Sequence, residues 1–531
     1  MGLSACFKDQ STDHIQGGFN GIQSERGHLL REARVWPAPV VQRTTGVLIA
    51  GGGVAGLAAA RALRLSGVED FALLDLEDVA GGNARGTTVA GVDCPMGAHY
   101  LPLPGDDAPD VQNLLEELGL RQRVAGRWQY DERHLCHSPQ ERLYFNGHWQ
   151  EGLLPVQAVA ADTLVQYRKF AVLVEQARRQ EAWRIPAYSA PLTAFKQALA
   201  AQRFDDYLNR QGLTDVHLRW YLDDCCRDDY GAGIATVSAW AGLHYFASRH
   251  GFAAPGMEHG EREGLLTWPQ GNGWLTQRMG APLGERLYTA RVVVRIAADK
   301  HGVQVDAFNA TTQSMERWQA LRVIVAMPVL VAARVVQNPP PWLQDASGRA
   351  VYAPWLVANI HVDQAINDRP GAAPSWDNVI YGDPANAPGL GYVDARHQSL
   401  QSVPSATVLT YYRALGDVAR GSDIHANRRQ LMQTPWTQWR DAILNELSAP
   451  HPDLIAKATR MDITRYGHAM AIPVPSAAGR GGLRPAGSKE ASPSVGRLHF
   501  AHSDWAGYSV FEEAFAIGHA AGKAAAKQTR A

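Results

Sequence analysis

Cysteine is scarce in this sequence, and its spacing matches neither a metal site nor a disulfide framework. The 531 residues contain five cysteines, and no two of them form a CxxC pair. An odd number without that spacing indicates neither zinc binding nor a set of structural disulfides. Cys225 and Cys226 are adjacent, and we interpret them as two residues of one helix that face different sides. We therefore predict that the protein holds no metal ion.

Long apolar runs and a surplus of charge of one sign are also missing. No run of 18 apolar residues occurs, so the sequence predicts no membrane-spanning helix. Lys and Arg number 51 and Asp and Glu 52, which gives a net charge of −1. This balance argues against broad electrostatic binding to nucleic acid or to an anionic membrane. The composition is that of an ordinary globular protein, and we expect it to act on a small molecule.

The first 46 residues contain no apolar stretch of the kind that secretory signals carry. A cytoplasmic location is therefore the expectation for the sequence as written. Leu3-Ser4-Ala5-Cys6 nevertheless resembles the tetrapeptide at which bacterial lipoproteins are cleaved and lipidated. The alternative hypothesis is a start upstream of Met1, with Cys6 as the lipid-bearing first residue of an envelope protein.

A strand–helix–strand pattern follows a polar, Gly-rich segment at residues 1–44, which we predict to be an extension packed on the surface. Val47-Leu48-Ile49-Ala50 is a short apolar run that ends in glycines, which is typical of a buried parallel strand. Val54–Leu65 is rich in Ala and Leu and predicts a helix that ends at Gly67. Phe71–Asp75 predicts a second buried strand. The unit has the expected length of about 30 residues.

The rest of the chain changes character several times. Residues 106–264 contain helical stretches, residues 265–330 return to strand-like sequence, and residues 345–460 mix strands with a helix near Trp436–Leu447. Residues 476–494 are rich in Gly, Ser, Pro and Ala and predict a loop. The pattern predicts an α/β fold, in which a discontinuous Rossmann-like domain carries an inserted mixed α+β substrate domain.

The predicted domain boundaries follow these changes. They are an extension at 1–44, a nucleotide-binding domain at 45–105, 265–335 and 461–531, and a substrate-binding domain at 106–264 and 336–460.

Residues 51–56 read GGGVAG and fit the G-x-G-x-x-G pattern between the first predicted strand and helix. Asp75 closes the second predicted strand, 24 residues after Gly51. Its carboxylate can accept hydrogen bonds from ribose hydroxyls. The motif and its context predict a dinucleotide cofactor.

The residues of this turn have distinct predicted roles. Gly51 makes the tight turn, Gly53 lets the backbone approach a pyrophosphate, and Gly56 lets helix and strand pack closely. Val54 and Ala55 begin the helix, whose unpaired N–H groups and positive dipole end favour phosphate.

A second glycine pair favours FAD over NAD. Gly81-Gly82 comes six residues after Asp75 and is followed by Asn83-Ala84-Arg85. A second close backbone approach is more useful to a long, extended FAD than to NAD. With these residues the sequence resembles the flavin-containing amine oxidase and phytoene desaturase superfamily. The family has an arginine directly after its Gly-Gly; here that position is Asn83, and Arg85 is the substitute candidate for the pyrophosphate contact.

The resemblance extends to later segments. The family places a small Gly-Ala segment beneath the flavin ring, to which Gly97-Ala98 is similar. The residue at the position of Val293 pairs with adenine through its backbone. Asp504 falls where an acidic residue holds the ribityl or pyrophosphate part. Phe511 begins the last helix, and the N–H groups there are expected to face the flavin N1–C2=O edge and to stabilise the reduced anion.

The resemblance also implies catalytic features that this sequence lacks in part. Amine-oxidising members place a lysine near N5 on a strand that looks like Tyr352–Ile360 here, and this strand contains no lysine. Their aromatic residues flank the amine, a role for which Trp505 is a candidate. His99 and His468 are the other candidates for a catalytic role. The cysteines lie far from the last flavin segment, so we expect FAD to be held without a covalent link.

The leading hypothesis is an FAD-dependent oxidoreductase that removes a hydride from an amine or amino-acid-like substrate to flavin N5. One alternative is a carotenoid-type desaturase or isomerase of an apolar chain, and another is a flavin-binding protein without turnover. The electron acceptor, O2 or another, the substrate and the oligomeric state are open at this point.

Overall fold

The structure is a computed structural model that describes residues 11–31, 34–257, 264–382, 388–398, 405–417, 423–477, 483–484 and 491–530. Cys6, on which the lipoprotein hypothesis rests, lies outside the described residues, as does much of the predicted loop at 476–494. Within the described ranges, no helix combines the length and the apolar character that crossing a bilayer requires.

The secondary structure of the described residues is as follows. The helices are α1 (Ser24–His28), α2 (Val54–Leu65), α3 (Pro109–Glu117), α4 (Ala161–Gln180), α5 (Ala194–Ala200), α6 (Phe204–Arg210), α7 (Val216–Tyr230), α8 (Ala239–Ala247), α9 (Gly273–Gly280), α10 (Val329–Val335), α11 (Pro341–Arg349), α12 (Ile424–Gln433), α13 (Trp436–Leu447), α14 (Leu454–Lys457) and α15 (Phe511–Arg530). The strands are β1 (Gln16–Phe19), β2 (Val41–Ala50), β3 (Phe71–Leu74), β4 (Gly86–Val89), β5 (Val92–Pro95), β6 (Tyr100–Pro102), β7 (Arg121–Val124), β8 (Arg127–Tyr130), β9 (Glu141–Phe145), β10 (His148–Glu151), β11 (Leu265–Thr267), β12 (Leu287–Tyr288), β13 (Arg291–Ala298), β14 (Val303–Asn309), β15 (Ser314–Val325), β16 (Tyr352–Val362), β17 (Asp377–Ile380), β18 (Tyr392–Asp394), β19 (Thr407–Ala414), β20 (Ala458–Ala471), β21 (Ser494–Val495) and β22 (Leu498–Phe500).

The first large sheet contains the predicted strand–helix–strand unit. Its strand order is β12-β3-β2-β15-β14-β13, and β22 also pairs with β15. β2 runs parallel to both β3 and β15, and β15 runs parallel to β22. The second halves of these strands are buried on both faces, which explains why the sequence shows a continuous apolar run and not an alternation.

The N-terminal segment contributes more to the fold than its polar sequence indicates. β2 begins at Val41, six residues before the predicted apolar run, because residues 41–45 pair with residues 316–320 of β15. β1 pairs in parallel with β20 at the edge of the second sheet. Pairing of this kind depends on backbone groups, so it leaves no apolar pattern in the sequence.

The second large sheet has the order β1-β20-β16-β19-β18-β17-β9-β10. Its central strand β16 contains the strand predicted at 352–360 and lies antiparallel to β19 and β20. One face packs on α12 and α13 through a cluster that includes Leu356, Ile360 and Ile443. The other face looks toward the first sheet, where the functional residues collect.

The last helix, α15, lies directly against α2. A Cβ atom added to Gly518 would lie 2.0 Å from the carbonyl oxygen of Ala55, and one added to Gly522 would lie 2.4 Å from that of Ala59. Only glycine permits such contact between two backbones. The small residues of α2 and α15 therefore bring the end of the chain to the first glycine turn.

Candidate cofactor and substrate cavity

A cavity of about 480 Å³, here named the main cavity, is lined by residues of both large sheets. Its first end is the turn at residues 51–55, at the carboxyl end of β2, and its second end includes Tyr352, Trp355 and Tyr412. Carboxyl ends of parallel strands are where α/β sheets bind ligands. The first end of the main cavity contains the glycine turn that the sequence predicts to bind a dinucleotide.

A smaller cavity of about 190 Å³, here named the inner chamber, adjoins the main cavity. Its walls include Glu141, Tyr221, Asp224, Asp228, Arg249 and Asp377. Both cavities are lined by His99, Tyr100, Pro102, Asp228, Arg249 and Tyr412. These shared residues form the boundary between the two cavities.

Most predicted cofactor residues come together on the main cavity. Those that line it are Gly51, Gly53, Val54, Ala55, Asp75, Gly82, Asn83, Gly97, Ala98, Val293, Asp504 and Phe511. Residues separated by more than 400 positions in the chain thus share one cavity.

The glycine turn has the geometry that a close ligand requires. Gly51 has a φ of +116°, and a Cβ atom there would lie 2.1 Å from the carbonyl oxygen of Ala326. Gly53 precedes α2, and no described side chain caps the N–H groups of the first turn of this helix. Gly82 approaches Gly53 so closely that a Cβ atom on Gly82 would lie 3.1 Å from the Gly53 Cα. The two turns leave an open backbone surface with free donors, which fits a dinucleotide phosphate.

Gly56 does not line the cavity; it packs against the glycine turn on the side away from the cavity. A Cβ atom there would lie 1.9 Å from the carbonyl oxygen of Gly51. This contact is the close helix–strand packing expected of the last glycine in the motif.

Asp75 is buried beside the turn and is held by two backbone donors. Its Oδ2 atom accepts a hydrogen bond from the Gly52 N–H at 2.6 Å, and its Oδ1 atom accepts one from the Glu77 N–H at 2.8 Å. Burial raises the pKa of Asp75 to about 6, although these two hydrogen bonds act in the opposite direction. At neutral pH the carboxylate is ionised and keeps lone pairs for ribose hydroxyls.

Arg85 is not among the residues that line the main cavity. Its Nε atom donates to the carbonyl oxygen of Gly82 at 3.0 Å, and its Nη1 atom lies 3.2 Å from Glu77 Oε2. The sequence suggested a pyrophosphate contact, but here the guanidinium braces the second glycine turn from behind. Glu77 supplies the carboxylate that holds it there.

Asp504 lies at the other end of the main cavity and is fully buried. Its Oδ2 atom accepts hydrogen bonds from the Val329 N–H at 2.9 Å and the Tyr352 hydroxyl at 2.6 Å. Burial alone would raise the pKa of Asp504, but His502, Tyr352 and the Val329 N–H together hold it below its usual range. The group is a fixed buried carboxylate between β15 and α15.

The first turn of α15 faces the main cavity, as the sequence predicts. Phe511 and Glu512 line the cavity there. Glu513 stands where the resembling family has a glycine, and it points elsewhere: it accepts hydrogen bonds from the Ala187 N–H and, at 2.7 Å, from the Tyr508 hydroxyl. This glutamate therefore ties the helix start to the helical region of the chain and leaves the cavity wall open.

The three catalytic candidates divide into two groups. His99 lines both cavities, and its ring stacks on Tyr412 with 4.5 Å between centroids. His468 lines the main cavity and meets the Tyr352 ring edge-on at 5.8 Å. Burial lowers the pKa of each histidine to about 4, so both are neutral at pH 7. Trp505 is not part of either lining and packs against Trp342, with 5.7 Å between the centroids.

The missing lysine has no substitute on the cavity wall. β16 contributes Tyr352, Trp355 and Val357, and the described residues that line the main cavity include no lysine. The wall at this end is aromatic, with Tyr412 and Tyr466 on the neighbouring strands.

The sequence did not reveal that the N-terminal segment reaches the cavity. Gly27 and Leu30 are part of the lining. The Arg26 guanidinium donates to the Leu76 carbonyl oxygen at 3.0 Å and pairs with Asp78 at 2.8 Å. These contacts join residues about 50 positions apart, and no sequence motif in the segment predicts them.

Comparison with known proteins agrees with this geometry. The profile of the family described as flavin containing amine oxidoreductase matches residues 54–526. A protein of Mycobacterium tuberculosis described as a flavin-containing monoamine oxidase, AofH, is 27% identical over 379 residues, which cover 66% of this chain and 75% of that protein. Coproporphyrinogen III oxidase of Mycobacterium leprae is 28% identical over 320 residues, or 59% of this chain and 66% of that protein.

Solved structures resemble the whole fold. Putrescine oxidase, in a wild-type structure bound to putrescine, has a TM-score of 0.65 and 18% identity and covers 92% of this chain and 100% of its own. Cyclohexylamine oxidase from Brevibacterium oxydans has a TM-score of 0.64 and 16% identity and covers 92% of this chain and 100% of its own. At these identities the likeness concerns the fold.

Proposed function

The chain belongs to the flavin-containing amine oxidoreductases, and on that premise we propose that it oxidises an amine in the main cavity beside a non-covalently held FAD. The observation that carries the proposal is the meeting of the glycine turn, Asp75, Asp504 and the start of α15 on one cavity. When bound, FAD supplies the acceptor for the hydride at its N5 atom.

The proposed cofactor contacts follow the order of the lining. The uncapped N–H groups at Val54 and Ala55 bind the pyrophosphate, and Asp75 binds the adenosine ribose. Val293 meets adenine through its backbone. Asp504 holds the ribityl end, and the N–H groups at Phe511 face the ring edge that gains charge on reduction.

Two further contacts belong to the second glycine turn and the segment after it. Gly82 and Asn83 would help to hold the pyrophosphate, and Gly97-Ala98 would help to hold the flavin ring. Asn83 Nδ2 donates to the Ala469 carbonyl oxygen, so its side chain is held against β20. We propose that Asn83 contributes by its backbone, in place of the charged side chain common in the family.

The walls around the second end exclude water and orient the amine. Trp355, Tyr412 and Tyr466 form an aromatic surface that favours an amine with an aliphatic substituent. Loss of a hydride from carbon requires the neutral amine, because its lone pair must form the new C=N bond. The carbon–hydrogen bond breaks as that bond forms, and water then hydrolyses the imine.

His99 is the proposed positioning group for that neutral amine. It is uncharged at neutral pH and forms a hydrogen bond with the backbone of Gly97, which leaves one ring nitrogen as an acceptor. A neutral acceptor beside the amine N–H orients the neutral amine without adding a second positive charge. His468 is placed to serve the same cavity from the side of β20.

The experiment is an anaerobic reduction screen on the purified full chain. We expect yellow protein whose flavin is released by acid or heat, and bleaching of its absorbance by at least one amine. Reoxidation by O2, compared with artificial acceptors, identifies the acceptor. Protein that neither contains nor takes up FAD, or whose flavin no amine bleaches, would overturn the proposal.

A further inference from the structure

Acidic residues outnumber basic residues on the described walls of the inner chamber. Four carboxylates line it: Glu141, Asp224, Asp228 and Asp377. The basic residues on its described walls are Arg249 and the histidines His99 and His250. Arg249 is already paired, because its Nη2 atom lies 3.0 Å and 3.2 Å from the two oxygens of the buried Asp229. An incoming group therefore meets more acidic than basic side chains on these walls.

One face of α7 forms the inner wall of the chamber. Tyr221, Asp224, Cys225 and Asp228 line it at spacings of three and four residues, which places them on one side of the helix. Asp228 lines both cavities, whereas Asp224 lines the inner chamber alone. Since four residues of helix rise about 6 Å, the second carboxylate lies one turn deeper than the first.

The opposite wall is built from two paired strands. Glu141 on β9 and Asp377 on β17 are partners in the parallel register of these strands. Burial, together with Asp228, Glu141 and Asp224, raises the pKa of Asp377 well above its usual range. Such crowding of carboxylates is costly without a cation between them.

The environment of Asp224 is the strongest indication that the inner chamber binds a ligand. The relative exposure of Asp224 is 7%, and no described residue donates a hydrogen bond to its carboxylate; Arg227, one turn along the same helix, is the charged group that lowers its pKa. Burial raises the pKa of Asp224 and of Asp228 to about 7; Asp228 adds to the shift of Asp224, and Asp229 adds to that of Asp228. Asp228 has the Tyr100 hydroxyl as a hydrogen-bond partner. A buried carboxylate without a partner, open to a cavity, is satisfied by a cation that donates hydrogen bonds.

We propose that the inner chamber binds the second ammonium group of an aliphatic diamine or polyamine whose other amino group is oxidised in the main cavity. This inference rests on the function proposed above and names its substrate class. The shared boundary at His99, Tyr100 and Tyr412 then surrounds the carbon chain between the two nitrogens.

Other ligand classes fit the chamber less well. Among the described residues, no three His, Cys, Asp or Glu side chains are grouped so as to hold a metal ion. The carboxylate of an amino acid or a fatty acid would meet four carboxylates and an arginine that is already paired. A purely apolar chain would offer no hydrogen-bond donor to the buried Asp224 carboxylate.

The test compares 1,4-diaminobutane with butylamine, which has the same carbon chain and one ammonium fewer. We expect the holoenzyme to use the diamine with a higher kcat/KM, and Asp224→Asn and Asp228→Asn each to lower the diamine-to-monoamine ratio about 10- to 100-fold. Glu175→Gln on the exposed face of α4 removes one negative charge away from both cavities and should leave the ratio unchanged.

A binding measurement separates recognition from turnover. Anaerobic calorimetry on the pre-reduced holoenzyme, which cannot accept a further hydride, should show tighter binding of the diamine and loss of that advantage in Asp224→Asn. A ratio near one in the parent enzyme, or a ratio that both variants retain, would overturn the inference while amine-dependent bleaching still upholds the proposed function. Failure of every amine to bleach the flavin would instead remove the proposed function.

Discussion

The two ends of the main cavity are built by different means. At the first end, backbone atoms of two glycine turns do most of the shaping, and the residues fall within about 30 positions of one another. At the second end, side chains from β16, β19, β20 and α7 converge from distant parts of the chain. A local motif can fix a backbone shape, whereas a wall of converging side chains depends on the whole topology.

The first end should therefore be the more sensitive to a single added carbon. In Gly51→Ala the new Cβ atom meets the Ala326 carbonyl oxygen at 2.1 Å, at a φ of +116° that alanine rarely adopts. We expect a loss of about 3 kcal/mol or more in the free energy of unfolding, together with loss of bound FAD. Urea unfolding and the flavin-to-protein absorbance ratio measure both.

A matched glycine isolates the role of the contact. Gly119 has a φ of +73°, and nothing lies within 4 Å of an added Cβ atom there. Gly119→Ala should cost only about 1 kcal/mol, from backbone conformation alone. Equal losses in the two variants would mean that the close approach at Gly51 is unimportant.

The next effect concerns the carboxylate beside the same turn. Asp75→Ala removes the acceptor for the Gly52 and Glu77 N–H groups as well as the proposed ribose contact. We expect FAD retention to weaken by roughly 1–3 kcal/mol, the cost of losing charged hydrogen bonds. Equilibrium dialysis of FAD against the reconstituted protein gives the dissociation constant.

Asp206 supplies the control for Asp75. Its side chain is exposed, pairs with Arg203 and lines neither cavity. Asp206→Asn should change FAD retention by a few tenths of a kcal/mol at most. If Asp75→Ala retained FAD as well as Asp206→Asn does, the assignment of Asp75 to the ribose would be wrong.

These contrasts explain which parts of the molecule could be predicted. The apolar run of β3 and the Ala-rich α2 predicted their own bounds within one residue, because both elements are almost wholly buried. The apolar run of β2 predicted only the buried second half of that strand. The glycine pattern predicted the first end of the cavity, because G-x-G-x-x-G at this position has a specific backbone geometry. The helix predicted near 436–447 has these bounds in the structure, and the strand predicted at 352–360 ends two residues later, at Val362.

The features that the sequence did not predict depend on remote contacts. Asp224 and Asp228 look like ordinary polar residues of a helix until β9 and β17 close the opposite wall. Arg85 looks like a phosphate ligand until Glu77 and the Gly82 carbonyl are seen to hold it. One sequence signal could have predicted the chamber: Tyr221, Asp224 and Asp228 follow one another at intervals of three and four residues on α7, which places an aromatic and two acidic side chains on one face of that helix.

At the second end, the buried His99 should make the free energy of unfolding depend on pH. Burial lowers the pKa of His99 to about 4, below its value of 6.5 in the unfolded chain. The unfolded chain therefore binds the proton more readily, and stability falls as pH decreases from about 6.5 toward 4. In His99→Gln, the free energy of unfolding should fall less on acidification than in the parent protein, by on the order of 1 kcal/mol. The difference is no larger because one face of the ring borders the cavity and stays accessible to water.

Urea unfolding at pH 4.5 and pH 7.5 measures this difference. His301 provides the control, because it lies on an exposed turn beside Asp299. His301→Gln should leave the pH dependence of the parent protein intact. A His99→Gln variant with the same acid sensitivity as the parent would show that the ring titrates as an exposed group.

The smallest expected effect lies where the N-terminal segment closes over the first end. Arg26→Gln removes the guanidinium bond to the Leu76 carbonyl and the pair with Asp78, which is more than half exposed. Pairs of this exposure contribute less than about 1 kcal/mol, so global unfolding should hardly change. FAD should nevertheless dissociate severalfold faster, because residues 24–30 pack beside the lining that Gly27 and Leu30 provide.

Stopped-flow trapping of released FAD measures that rate, and Arg133→Gln serves as the control. Arg133 pairs with Asp131 on an exposed surface outside the main cavity, so its loss removes a similar ion pair without touching the segment. Faster release in Arg26→Gln alone would mean that residues 24–30 slow the dissociation of FAD from the first end of the main cavity. The first end would then depend on side chains from distant parts of the chain, as the second end does. Equal release rates would leave the glycine turns as sufficient to retain the cofactor, and the contrast between the two ends would stand in full.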